Sequence, residues 1–197
     1  MNSSNLNYCV FDIETQNWFT DLPPGSDHSK LKISVLGAYF SKDDTYIAYL
    51  EKDLEAFVEK LKTVDLVIGY NSIGFDLPVL QPYTDLDLKT LPSYDILLEI
   101  EKQIGFKVKL DDVAKATLGI SKTDKGSNAI LYFREGNWEK LIDYCMWDVR
   151  ITKEVFEIGM NTGMLKYKDF IDQKEVKMNA PDFKIPKKLR YFEKGIW

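Results

Sequence analysis

Two carboxylates stand two residues apart inside an apolar run: Asp12 and Glu14 in YCVFDIET, residues 8–15. Side chains two apart on a β-strand point to the same face. Both acids would therefore share one side of a sheet, flanked by Val10, Phe11 and Ile13. Like charges so placed repel and lose hydration, a cost that a bound divalent cation removes. Taken alone, D-x-E also describes a strand end that reaches solvent. A second acid follows the apolar run DLVIGY, in Asn71-Ser-Ile-Gly-Phe75-Asp76. Asp76 would lie just beyond a buried strand and open a helix, at the sheet edge where α/β proteins hold their sites; an ordinary helix cap gives the same pattern. A third lies in Tyr144-Cys-Met-Trp-Asp148. Residues four apart share a helix face, which pairs a tyrosine with an aspartate, or leaves a surface aspartate beside a half-buried tyrosine.

In order, FDIET, then GYNSIGFD roughly 60 residues on, then YCMWD about 70 further, resembles the DEDD superfamily of 3′–5′ exonucleases. The family pattern is D-x-E, N-x-x-x-[FY]-D, and either Y-x-x-x-D or H-x-x-x-x-D. The chain carries the tyrosine form (DEDDy), and Asp143 stands where the other branch needs a histidine. The resemblance covers roughly residues 8–160. It implies a ribonuclease-H-like α/β fold, a mixed sheet of a three-strand meander plus αβ units flanked by helices. It implies two divalent cations, Mg²⁺ or Mn²⁺, held by Asp12, Glu14, Asp76 and Asp148. In that reading Asp12 bridges both ions, Glu14 and Asp148 complete one shell, and Asp76 serves the other. Tyr144 aligns the attacking water; a phenol with a pKa near 10 is a poor base at neutral pH. The activity implied is removal of nucleoside 5′-monophosphates from a single-stranded or frayed 3′ end of DNA or RNA, with DNA favoured.

Other residues have two readings each. Thr15 and Asn71 would hold the terminal nucleotide, or serve turn and cap chemistry. Trp18 and Phe19 would stack on a base, or form a lid on the core. Phe75 would meet substrate beside Asp76. Lys122 and Lys125 would touch phosphates, or be ordinary charged loop residues. Trp147 reads as core. The alternative function is a nucleic-acid-binding module or an accessory subunit of a polymerase, helicase or repair assembly on the same fold. Clustered acids facing phosphate argue against a purely binding role.

The elements that must carry these groups follow from periodicity. Tyr8–Thr15, Ile33–Phe40, Thr45–Leu50 and Leu66–Tyr70 read as strands. Residues 16–32, with Pro23, Pro24 and Gly25, read as a loop. Asp53 is placed to cap a helix carrying Leu54, Phe57, Val58 and Leu61. Asp76–Tyr83 reads as a short helix or turn, and Leu110–Leu118 as a helix stopped by Gly119. Residues 121–128 read as a polar loop, and 138 to about 160 as a long amphipathic helix. Tyr94–Ile104 has a mixed period that does not fix its type.

Bulk properties frame this reading. With 197 residues, 45% apolar and 29% charged, the chain suits one globular domain. No stretch approaches the roughly 18 apolar residues of a membrane span. Residues 1–7 lack the pattern of a secretory signal. Cys9 and Cys145 have no metal-ligand spacing and suit a reducing, cytoplasmic setting. The net charge of −5 hides an asymmetry: residues 164–197 hold nine Lys or Arg against five Asp or Glu. The expected organisation is a catalytic domain over 1–163 and a basic C-terminal extension over 164–197.

Overall fold

The computed structural model of the protein describes residues 6–120, 128–168 and 173–177. Five strands form one sheet in the order β3-β2-β1-β4-β5. β1 (Tyr8–Thr15), β2 (Ile33–Phe40) and β3 (Thr45–Leu50) make the antiparallel meander. β4 (Leu66–Gly69) pairs parallel to β1, and β5 (Ser93–Asp95) parallel to β4. The parallel pairs need crossovers. α1 (Leu54–Leu61) supplies one, and α2 (Asp76–Leu80) lies in the other. The segment 94–104 is a strand end followed at once by α3 (Ile96–Ile104), which explains its mixed period. α4 (Leu110–Leu118), α5 (Asn128–Arg134) and α6 (Trp138–Thr162) complete the domain. Asn128, read as the end of a loop, begins α5. The mixed sheet flanked by helices is the architecture expected.

The period-two alternation of β1 divides the core. Cys9, Phe11 and Ile13 face α1 and α2, within a cluster that includes Leu54, Phe57, Leu77 and Leu80. Val10 faces the other way, into a cluster with Val149, Val155 and Phe156 of α6. Asp12 and Glu14 continue the Val10 face, the one that α6 covers.

Two expectations are revised. Asp53 precedes α1 but makes no side-chain capping bond. The basic extension begins as a packed hairpin, β6 (Met164–Lys168) with β7 (Gln173–Lys177). Its alternation buries Leu165, Tyr167 and Val176 in the core that α4 and α6 share, so these two strands lean on the body rather than hang from it. Among the described residues no helix is long and apolar enough to cross a membrane. Lys122, Lys125 and residues 178–197 lie outside the described residues.

Candidate active site

β1 runs on past its neighbour. Its pairing with β4 ends at Val10–Ile68, so Asp12 and Glu14 occupy the part of the central strand with β2 on one side only. α6 packs across β1 and β2 above them. That close approach is possible because residue 37, opposite Asp12 in the β1–β2 register, is glycine. A Cβ there would lie 3.0 Å from Cys145 Sγ, Met146 Sδ and Val149 Cγ2. Cys145 Sγ accepts a hydrogen bond from Gly37 N at 3.1 Å and donates to Asp12 O at 3.4 Å. One helical turn thus sits directly on the strand that carries the acids. Asp148 follows three residues later.

The outcome is a cluster of three acids. Asp12, Glu14 and Asp148, each partly buried, offer carboxylate oxygens that all lie within 4.8 Å of one another. An all-oxygen, all-anionic donor set of this kind suits a hard divalent cation. The three acids can hold a metal ion.

Asp76 stands outside that triad but touches the same strand. It is 3% exposed, and its Oδ1 accepts from Ile13 N at 2.9 Å. This satisfies a strand N–H that has no sheet partner on the β4 side. Asp76 is the first residue of α2 and not its cap, which is Phe75. Burial pushes its carboxyl up to about 7; the Ile13 N–H opposes the shift, and the charges of Asp95 and Asp148 add to it.

Tyr144 is buried rather than half-buried. It is 7% exposed and packs with Val35, Ala129, Leu141 and Cys145. Burial pushes its phenol far above the ordinary range, and the charges of Asp148, Glu14 and Asp12 push it the same way.

The residues read as substrate contacts have mixed surroundings. Thr15 is buried and donates to Asn17 O at 2.9 Å, a turn bond. The Trp18 ring is engaged by Arg134 of α5, whose Cζ lies 4.2 Å from the ring centroid, and the same Arg pairs with Asp21 at 3.1 Å. Phe19, 46% exposed, is the aromatic of that loop that faces solvent. It leans on His28 at 4.8 Å between ring centroids, and His28 meets Phe75 edge-on at 5.2 Å. His28 Nδ1 lies 3.0 Å from Gly74 O, so residues 16–30 are tied to the loop before Asp76. Asn71 adopts a left-handed φ of 67°. Trp147 is partly buried against the α6 core.

Sequence reasoning missed Asp95. It ends β5, caps α3, is 3% exposed, and accepts from Asn71 N, Ile73 N and Leu98 N. Its position before a helical run is the one local signal, and that signal points only to a cap.

Residues 9–159 match the family model described as RNase H superfamily. Among solved structures, the chain is similar to the family B DNA polymerase from the hyperthermophilic archaeon Pyrobaculum calidifontis. The identity is 23% and the TM-score 0.61, over 78% of this chain and 24% of that one. The chain therefore spans about a quarter of the polymerase's length, and the likeness is one of fold. No curated protein matches the sequence.

Proposed function

The chain belongs to the RNase H superfamily, and on that premise we propose that it is a metal-dependent 3′–5′ exonuclease of the DEDD type, tyrosine branch. It removes nucleoside 5′-monophosphates from a single-stranded or frayed 3′ end, with DNA favoured over RNA. The observation that carries this reading is the convergence of Asp12, Glu14 and Asp148, with buried Tyr144 one turn before Asp148 and Asp76 on the backbone between the two strand acids.

Asp12, Glu14 and Asp148 would hold a divalent cation, Mg²⁺ or Mn²⁺, and Asp76 would contribute to a second site beside them. Divalent cations at such sites neutralise the charge that develops on a phosphodiester under attack. The protein residues supply the rest. The carboxylates would hold the cations at the end of β1, where a scissile phosphate would be bound. Tyr144 keeps its proton and donates a hydrogen bond that aligns the attacking water, and so it is not the base. Phe75 and exposed Phe19 border the place where a terminal base would stack. Trp18 braces that loop through Arg134.

The test is degradation of 5′-labelled single-stranded DNA and RNA, side by side, with Mg²⁺, Mn²⁺ or EDTA. The expected result is a ladder that shortens from the 3′ end, is lost in chelator, and is absent from Asp12→Ala. Undiminished cleavage in excess EDTA refutes the metal reading. Internal cuts before end-shortening refute the exonuclease reading.

A further inference from the structure

Asp95 is a buried carboxylate that the proposed chemistry does not use. Burying an ionised carboxylate is costly unless hydrogen bonds satisfy it. Here three backbone N–H groups do so. Oδ1 accepts from Asn71 N at 2.9 Å and from Leu98 N at 3.3 Å, and Oδ2 accepts from Ile73 N at 3.0 Å. The Leu98 bond is ordinary capping of α3. The other two reach across to the loop between β4 and α2, 24 and 22 residues away in sequence.

That loop needs an anchor. Asn71 turns it through a left-handed residue, and Asn71 O then accepts from both Gly74 N and Phe75 N. With the amides of residues 71 and 73 aimed inward, the loop presents two donors to one anion. Gly69 admits the turn, because a Cβ there would lie 2.4 Å from Ser72 Cβ. Three residues past Ile73, the chain delivers Asp76 to Ile13 N. Asp95 therefore fixes one end of the segment whose other end is a candidate site acid.

We propose that Asp95 is a positioning residue for the nuclease site, holding the 71–75 loop so that Asp76 stays on Ile13 N, between the two strand acids. The inference rests on the nuclease reading above. Asp95 touches neither substrate nor cation; it acts through Asp76.

The test uses the full chain and the variant Asp95→Asn. One oxygen remains to accept, but an NH₂ group now faces one of the two loop amides. Losing a hydrogen bond to a charged acceptor speeds local opening by roughly tenfold or more. Amide hydrogen exchange should therefore accelerate by about that factor at Asn71 or Ile73 while the fold is retained. Cleavage per folded molecule should fall by about tenfold or more, with a higher half-saturating Mn²⁺ concentration. Combining Asp95→Asn with Asp76→Asn should cost no more than Asp76→Asn alone, since both act through one group. Unchanged exchange at both amides overturns the proposal. So do losses that multiply in the double variant, or freed amides with wild-type cleavage. A wild-type protein that cleaves nothing refutes the nuclease reading instead, and the exchange rates still decide whether Asp95 holds the loop.

Discussion

The spacing between α6 and the sheet is set at Gly37, and Gly37→Ala tests what that spacing does. A new methyl would lie 3.0 Å from three side-chain atoms of α6 at once. Non-bonded carbon atoms settle near 3.5–4.0 Å, so the methyl is too close by about half an ångström or more. Met146 can yield, because its unbranched thioether has several rotamers. Val149 is fully buried and β-branched, with one favoured χ1 in a helix. Cys145 is held by Gly37 N. The cheapest relief is a retreat of α6 from β1 and β2 by a few tenths of an ångström. Overpacking of this kind costs about 1–3 kcal/mol. Asp148 rides on α6, so its separation from Asp12 and Glu14 grows by a similar distance. A misplacement of about 1 Å costs on the order of 10²-fold in rate, and half of that corresponds to roughly tenfold. Thermal unfolding and single-turnover cleavage at saturating Mn²⁺ measure the two effects separately. Adding Val149→Ala to Gly37→Ala removes the contact that cannot rotate away and should recover part of the lost cleavage rate. A Gly37→Ala protein with wild-type stability and cleavage would refute the reasoning, as would a cleavage loss that Val149→Ala leaves untouched.

Tyr144→Phe keeps the buried ring and removes the hydroxyl; cleavage should fall on the order of 10²-fold with near-normal nucleic-acid affinity, and an unchanged rate would make Tyr144 a packing residue. Asp76 has a folded-state pKa of about 7 against an ordinary value near 4, so between those values the folded state binds more protons than the unfolded one. Metal-free stability should therefore fall as pH rises from about 4 to about 7. Melting curves of Asp76→Asn should lose that slope, and an identical slope would refute the assignment. Truncation after Gly163 exposes the surface that Leu165, Tyr167 and Val176 bury; at about 1.5–3 kcal/mol for each buried side chain, it should unfold or severely destabilise the protein. Truncation after Lys177 should weaken nucleic-acid binding and its salt dependence, as judged by filter binding at several salt concentrations.

The strands of the meander were legible because buried strands are unbroken apolar runs with polar turns between them. α6 was legible because its apolar stripe spans seven turns. The meeting of Asp12, Glu14 and Asp148 follows from two periods, two for the strand and 3.6 for the helix, once the covered face of the sheet is known. β5 was not legible: it has three residues and passes without a turn into α3, with Asp95 belonging to both. Asp95 as a loop anchor has no local signature, because its partners lie more than 20 residues away. The same holds for Arg134, which joins Asp21 across 113 residues. The hairpin after α6 was hidden by composition, since its lysines outnumber the three residues that matter for packing.

The position of β1 in the middle of the sheet has a mechanical consequence. Asp12 and Glu14 ride on a strand clamped by β2 along nearly all its length and by β4 at Tyr8, Cys9 and Val10. Displacing these two acids together would require the sheet itself to open, and central strands are typically among the last parts of a fold to open. The strand side of the site thus behaves as a fixed jaw. Whatever adjustment a substrate demands must come from sliding of α6, which carries Asp148, the movable jaw. On the exonuclease reading, variants that tune which strand ends are accepted should therefore accumulate on α6.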